Sequence, residues 1–343
     1  MLLIDALYIN NSGGKILLDY LISELEKTDE SIKYFLDIRI KENHPLIKKS
    51  NTVIYCKGSL IKRHFFYKKL GKSIDKVFCF GNIPPTLKLE IPVYTYFHQR
   101  LFIKIPEELA FSQKIILWIK SKFFQKFTAN SQFWIMQTKS IKNEFLHKFQ
   151  NIEKHKIIFM PFYPPFSKAF TIVDKEKNSF LYVSNGSPHK NHQRLLKAFV
   201  KFYQKYKTGK LYITIGNEFL DLKKSIAAHQ KKGVPIVNVG FLNRKELYSL
   251  YTKSEFVVFP SLTESFGLGL LEAMENGCKV VGADLPYTHA VCKPSLLFNP
   301  YEIDSIATAF YNAITKNTRP TEQLVFNEIK SLIKLLKNNY VKK

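Results

Sequence analysis

Two glutamates spaced eight residues apart, Glu264 and Glu272, lie in the stretch best suited to chemistry. A buried strand is predicted to end at Pro260 and a helix to begin at Gly267, with a polar loop between them. The start of a helix attracts anions because its free N–H groups and its dipole favour negative charge. Carboxylates beside such an anion site could accept hydrogen bonds from sugar hydroxyls. Taken alone, Glu264 could instead be a partner of the helix dipole, and Glu272 could be a surface residue of the helix.

A second candidate is Lys190, in a loop of Ser, Asn, Gly and Pro that follows a predicted strand over residues 180–183. Such a loop could present the lysine to a phosphate as a point charge. A lone lysine in a chain with 52 basic residues is more often a solvated side chain.

Two further candidates follow predicted strands in the first half of the chain. Gly13 and Gly14 lie in a predicted turn between a strand and a helix, where glycine lets the backbone approach a ligand closely. His98 comes just after the strand predicted over residues 93–97. A glycine pair usually marks only a tight turn, and one histidine among nine is more often structural.

The predicted strands and helices that must position these residues alternate along the chain, which is typical of parallel sheets covered on both faces. Three prolines in residues 160–166 interrupt it and predict a linker. We therefore expect an α/β protein with domains over residues 1–165 and 166–320, and a C-terminal helix in 321–343 that crosses back to the first domain. The predicted strands cover residues 2–8, 53–56, 77–80, 93–97, 134–137, 180–183, 211–215, 236–239, 256–259 and 279–281, and the predicted helices include 15–26, 192–206, 244–252, 268–276 and 322–340.

The stretch Pro-Ser-Leu-Thr-Glu-Ser-Phe-Gly-Leu-Gly-Leu-Leu-Glu-Ala-Met-Glu-Asn-Gly closely resembles the E-x7-E motif of family 4 retaining glycosyltransferases. This resemblance implies the GT-B fold, two Rossmann-like doubly wound domains facing across a cleft. It places Glu264 near the reacting sugar and Glu272 at the ribose hydroxyls of the nucleotide. It also implies that four residues supply backbone donors to the diphosphate: Ser265, Phe266, Gly267 and Leu268.

The loop that carries Lys190 resembles the R-x4-K segment of the same family, whose two cations neutralise the departing diphosphate. Lys190 matches the lysine, but the neutral Asn185 stands in the arginine position. The phosphate charge must then be met by Lys190, by backbone N–H groups, or by His189 or Arg194. The sequence leaves these alternatives open.

Three other positions take roles from the resemblance. Gly13 and Gly14 match the N-terminal glycine loop that faces donor phosphates and acceptor, and His98 matches a histidine near the donor sugar. The segment Gly-Phe-Leu-Asn-Arg-Lys-Glu-Leu-Tyr-Ser-Leu-Tyr resembles the one bordering the nucleobase, so Leu242 is expected to contact the base through its backbone.

The resemblance implies a hexosyltransferase that moves a sugar from a UDP- or GDP-sugar to an acceptor hydroxyl with retention, on a glycan or lipid-linked acceptor. Bacterial surface glycans such as lipopolysaccharide, O-antigen or capsule are the expected products. No Asp-x-Asp pair suggests a metal, and we expect no cofactor. Two alternatives remain: a nucleotide-sugar epimerase of the same fold, and a non-catalytic basic protein that binds membrane or nucleic acid.

The formal net charge of +24 is spread over both halves of the chain and has no nucleic-acid-binding motif beside it, so specific nucleic-acid recognition is not expected. Lysines alternate with aromatic residues in segments 57–72 and 114–127. These segments could contact an anionic membrane or could be ordinary amphipathic helices.

The four cysteines lie far apart, which argues against a disulfide framework and fits a reducing compartment, and residues 1–5 do not form a basic leader. We expect a cytoplasmic protein, with membrane contact at the inner face of the plasma membrane.

Overall fold

The computed structural model describes residues 1–107, 109–166 and 174–337 of the chain. It divides into two compact units. The first comprises Met1–Ile105, Phe111–Pro164 and Phe326–Lys343, and the second comprises Pro106–Ala110 and Pro165–Val325.

Strands and helices alternate through most of the described chain. The strands are β1 (Leu2–Ala6), β2 (Ile32–Asp37), β3 (Thr52–Cys56), β4 (Lys76–Cys79), β5 (Val93–Phe97), β6 (Phe133–Met136), β7 (Ile157–Phe159), β8 (Glu176–Tyr182), β9 (Lys210–Ile213), β10 (Ile236–Asn238), β11 (Ser254–Phe259), β12 (Lys279–Ala283), β13 (Cys292–Lys293), β14 (Leu296–Phe298) and β15 (Glu322–Gln323). The α-helices are α1 (Ser12–Leu25), α2 (Leu60–Lys68), α3 (Phe111–Phe127), α4 (Lys139–Lys148), α5 (His192–Tyr206), α6 (Leu220–Lys231), α7 (Arg244–Lys253), α8 (Leu268–Glu275), α9 (Pro286–Val291), α10 (Ile303–Thr315) and α11 (Ile329–Lys337).

The first unit is built on a seven-stranded sheet in the order β3-β2-β1-β4-β5-β6-β7. All of its strand pairs are parallel. The apolar run of β1 is buried along its whole length, as expected for a central strand covered on both faces. Right-handed crossovers place α2, α3 and α4 on one face of this sheet and α1 on the other. Aromatic residues from β5, α3 and α4 form one core cluster, which includes Phe97, Phe124 and Phe145.

The second unit has a six-stranded parallel sheet in the order β10-β9-β8-β11-β12-β14. Helix α5 buries Leu195, Phe199 and Phe202, a spacing that forms one apolar stripe. The rings of Phe199 and Phe202 pack against Phe180 of β8 and Phe310 of α10. The predicted α/β class, with two Rossmann-like doubly wound domains, is confirmed.

Several predicted boundaries were wrong. Strands β2 and β7 were missed, since Lys33 interrupts the apolar run of one and the other has only three residues. Helix α1 begins at Ser12, so Gly13 and Gly14 lie in its first turn and not in a loop.

The C-terminal helix begins at Ile329 and not at residue 322, because Glu322–Gln323 pairs antiparallel with Cys292–Lys293 as strand β15. Asn327 precedes the helix, and its side-chain oxygen accepts a hydrogen bond from the Ile329 N–H at 3.2 Å. The helix is described as far as Lys337, and the rest of the prediction lies outside the described residues.

None of the helices in the described part of the chain combines the length and apolar character that a bilayer-spanning segment needs. The four cysteines are free thiols, three of them buried.

Candidate active site

The candidate residues of the second unit collect at one edge of its sheet. Asn185 and Lys190 follow β8, Leu242 follows β10, and Glu264 follows β11. All of these strands are parallel, so their carboxyl ends share an edge. This is where doubly wound folds bind ligands.

Lys190 and Glu264 form an ion pair, with Nζ 2.6 Å from Oε1. Both side chains are mostly buried, with exposed fractions of 17% and 13%. The two loops are also joined through their backbones, since the Leu262 N–H donates to the His189 carbonyl at 2.8 Å. Beneath them, the Tyr182 hydroxyl donates to the Lys190 carbonyl at 2.8 Å and lies 2.8 Å from Ser261 Oγ. The structure therefore fixes a cation and a carboxylate side by side.

Gly267 precedes helix α8 and has a φ of +77°, in the left-handed region that favours glycine. A Cβ at this position would lie 3.1 Å from Leu270 Cδ1, so any larger residue would also crowd the helix. The turn allows α8 to start directly after the loop formed by Glu264, Ser265 and Phe266. The start of α8, which is the positive end of its dipole, therefore lies at the same edge of the sheet.

Glu272 is buried inside α8, with 3% of the residue exposed, so it is not a surface helix residue. Its Oε1 lies 3.1 Å from Arg244 Nη1, and its Oε2 accepts a hydrogen bond from the Tyr251 hydroxyl at 3.1 Å. Burial raises the pKa of this carboxyl, while Arg244 and Tyr251 lower it. Both partners lie on α7, directly after the Leu242 loop.

Asn185 is exposed, and its side-chain oxygen accepts a hydrogen bond from the Ser187 N–H at 3.1 Å. Its carbonyl accepts from His192 Nε2 at 2.9 Å. Burial lowers the pKa of His192 to about 4, so this histidine is neutral at pH 7 and adds no cation. Arg194 donates to Asn191 Oδ1 at 3.1 Å and lies above the Tyr301 ring.

Asn191 ties three loops of the second unit together. It is buried at a φ of +63°, and its Nδ2 donates to the carbonyls of Pro260 and Pro300 at 3.1 and 2.8 Å. The loop after β8, the loop after β11 and the turn before α10 therefore share one side chain.

In the first unit, Gly14 and His98 lie together. A Cβ on Gly14 would be 3.2 Å from His98 Cε1, whereas one on Gly13 would meet nothing within 4 Å. His98 Nε2 lies 3.0 Å from the Phe80 carbonyl and must donate to it, and the His98 N–H donates to Asn82 Oδ1 at 2.7 Å. Burial lowers the pKa of His98 to about 4, so its ring is also neutral.

Four residues that contribute to this geometry were not predicted: Arg244, Tyr251, Asn191 and His192. The Asn243–Glu246 capping box at the start of α7 was the one available signal for Arg244, because it fixes where that helix begins. Among the described residues, no group of three or more His, Cys, Asp or Glu side chains could hold a metal ion.

Known proteins resemble both the sequence and the fold. Residues 165–325 match the family model described as Glycosyl transferases group 1. The O-antigen chain mannosyltransferase RfbU of Salmonella typhimurium is 29% identical over 199 residues, which cover 54% of this chain and 54% of that protein. The serotype-specific mannosyltransferase WbdA of Escherichia coli is 27% identical over 133 residues, 37% of this chain and 16% of its own. The chain thus spans about half, or less, of the length of these relatives.

Solved structures match over nearly the whole chain. WaaG, a glycosyltransferase involved in lipopolysaccharide biosynthesis, has a TM-score of 0.64 at 12% identity and covers 98% of this chain and 100% of its own. Anabaena HepE, solved in complex with UDP and glucose, has a TM-score of 0.65 at 14% identity over 92% of this chain and 90% of its own. At these identities the likeness concerns the fold, and it confirms the GT-B prediction. The family match supports the predicted glycosyltransferase activity and is limited to residues 165–325.

Proposed function

We propose that the chain is a retaining hexosyltransferase that moves a sugar from a nucleoside diphosphate sugar to an acceptor hydroxyl. The observation that carries this proposal is the Lys190–Glu264 pair, 2.6 Å apart, in the domain that matches the glycosyl transferase family. Two of the relatives are named as mannosyltransferases of O-antigen or serotype-specific chains, which supports hexosyl transfer in the synthesis of a bacterial surface glycan.

The proposed chemistry breaks the bond between the sugar C1 and the diphosphate oxygen and forms a bond from C1 to the acceptor oxygen. The acceptor hydroxyl gives up its proton to the departing diphosphate oxygen. The diphosphate gains charge as the bond breaks, and stabilising that charge is the main task. Lys190 would turn from Glu264 to the diphosphate, and the start of α8 would add backbone donors from Ser265, Phe266, Gly267 and Leu268. The carboxylate freed from Lys190 would then accept hydrogen bonds from the sugar.

The other candidates bind the rest of the donor in this proposal. Glu272 would accept the ribose hydroxyls, and the Leu242 backbone would contact the base. His98 and the glycines at the start of α1 would face the sugar and the phosphates. Retention of configuration rests on the resemblance of the E-x7-E motif to the retaining family.

A nucleotide screen followed by a transfer assay tests the proposal. UDP, GDP and their sugars, including a mannose nucleotide because of the named relatives, should raise the melting temperature by mass action. Lys190→Ala should reduce sugar transfer by roughly a hundredfold or more while the fold is kept. Lys197→Ala, at an exposed lysine of α5, is the matched control.

The same assay separates the two alternatives. Consumption of the sugar nucleotide without any acceptor would indicate an epimerase. If no nucleotide or sugar nucleotide bound at all, the proposed transferase would be excluded in favour of a non-catalytic basic protein.

The acceptor is proposed to be linked to a lipid, which the protein would reach from an anionic membrane surface at the inner face of the plasma membrane. Helix α3 supports this idea, because its first ten residues are almost entirely exposed and mostly apolar. Phe111 is 79% exposed and Trp118 is 56% exposed. Lysines follow them along the helix, and Ile61 and Phe65 of α2 are exposed on the same face of the sheet.

Sedimentation with vesicles tests this contact. Vesicles containing phosphatidylglycerol should bind the protein at low salt, and pure phosphatidylcholine vesicles should bind it less. Replacing Trp118 and Ile119 with serine should weaken binding, whereas Leu46→Ser, at an exposed apolar residue elsewhere in the unit, should not. Absence of binding to the anionic vesicles would refute the membrane contact. A dimer lost in the Trp118 and Ile119 variant would instead assign the face to a second copy.

A further inference from the structure

Arg244 links the start of α7 to the buried carboxylate of α8. Its Nη1 lies 3.1 Å from Glu272 Oε1, and its guanidinium lies 4.2 Å above the centre of the Phe166 ring. The Asn243–Glu246 capping box fixes the residue at the first helical position. The arginine is therefore held on two sides, by a stacked ring and by the helix start, while 35% of its side chain remains exposed.

The Glu272 carboxylate receives one protein donor on each oxygen. Arg244 contacts Oε1 and the Tyr251 hydroxyl contacts Oε2, both at 3.1 Å. A carboxylate oxygen has two acceptor positions, so each keeps one position for another donor. Two acceptor positions on adjacent oxygens suit the two neighbouring hydroxyls of a ribose.

We propose that Arg244 is a positioning residue of the donor site, which holds the Glu272 carboxylate as an acceptor for the paired ribose hydroxyls. This inference rests on the proposed function, and it assigns Arg244 to donor binding and not to the transfer step. Removing one partner of a buried ion pair leaves an uncompensated charge, which the protein avoids by taking up a proton. A protonated Glu272 has a hydroxyl where the ribose needs an acceptor.

Charged and titratable groups of two helices act on Glu272. Arg244 and Tyr251 face it from α7, and Glu275 lies one turn further along α8. Glu275 Oε2 already accepts a hydrogen bond from the Phe166 N–H at 3.2 Å. Burial raises the pKa of Glu272 and Arg244 opposes that shift, so loss of the arginine raises this pKa further.

Titration of wild type and variants with UDP and GDP across pH 5–8 tests the proposal. Arg244→Gln should raise the dissociation constant about tenfold near neutral pH. The loss should be larger at low pH and smaller at high pH, where Glu272 ionises again. With the full donor, KM should rise while kcat changes little. Arg244→Lys keeps the positive charge and should restore the wild-type pH profile.

A purely structural role for Arg244 would lower the melting temperature without a pH-dependent loss of affinity. Wild-type affinity and pH profile in Arg244→Gln would therefore overturn the inference. Tyr251→Phe removes the donor to Oε2 and should weaken binding in the same direction, which provides a second variant if Arg244→Gln does not fold. Failure of the wild type to bind any nucleotide would refute the proposed function itself, a separate outcome.

Discussion

Among single residues, the adjacent glycines at the start of α1 provide a matched comparison. Gly13→Ala adds a methyl group that meets nothing within 4 Å. It should stabilise the protein by about 0.4–1 kcal/mol, because alanine lowers the conformational entropy of the unfolded chain. Gly14→Ala should lack this gain, because its methyl group would press on His98, which is fixed by Phe80 and Asn82. Sugar transfer should fall several-fold more in Gly14→Ala than in Gly13→Ala.

Thermal melts and initial rates of the two variants measure both effects. Equal transfer rates in the two variants would show that the close approach of Gly14 to His98 has no part in the reaction.

Several residues of the candidate site could be named from the sequence, because each belongs to a local motif. Glu264 and Glu272 belong to one recognisable motif, and Lys190 lies at a recognisable distance after a strand. Their partners were not predictable in this way. Arg244 and Tyr251 lie 28 and 21 positions before Glu272, and only the folded chain brings their side chains to its carboxylate.

Among the elements, the loops after β8 and β11 depend on the buried side chain of Asn191. Asn191→Gly keeps the left-handed backbone conformation but leaves the Pro260 and Pro300 carbonyls without their donor. Leaving such buried groups unpaired should cost about 2–4 kcal/mol in the free energy of unfolding. Donor affinity should fall as well, because the Lys190 loop loses one of its connections to the Glu264 loop.

Asn178→Gly is the control, since Asn178 has a similar φ of +58° in the same unit but lies at the other end of β8. Denaturant unfolding and nucleotide titration of both variants measure the two effects. Equal donor affinity in both would contradict the role assigned to Asn191.

Helices and strands could be predicted where the apolar residues of a segment form one regular pattern that matches its buried face. The predicted range of α5 agrees at both ends with His192–Tyr206, because its apolar stripe starts and stops with the helix. The C-terminal helix was placed too early because its first predicted residues have a helical composition, whereas pairing with β13 makes Glu322–Gln323 a strand. Such pairing depends on a segment about thirty residues earlier, which local patterns do not show.

For the whole molecule, both units hold a histidine in its neutral form. Burial lowers the pKa values of His98 and His192 to about 4, whereas an unfolded histidine titrates near 6.5. The unfolded chain therefore binds more protons below pH 6.5. Stability should be fully present above that pH and should be lost as the pH falls towards 4.

For His192, which is 4% exposed, the loss between pH 7.5 and pH 5 should be on the order of 2 kcal/mol. Denaturant unfolding at the two pH values measures it, and His192→Gln should reduce the difference by that amount. An unchanged difference in the variant would show that the buried ring does not supply the acid sensitivity.

The Lys190–Glu264 pair also has a consequence for turnover. A lysine that stood alone at the carboxyl edge of the sheet would hold any diphosphate tightly, including the one left after the sugar has gone. Glu264 competes for the same Nζ atom, 2.6 Å away, and can take it back when the sugar no longer occupies its oxygens. In the proposed reaction the spent nucleotide would then lose its main cation, so we expect the pair to favour release of the product before the next donor binds.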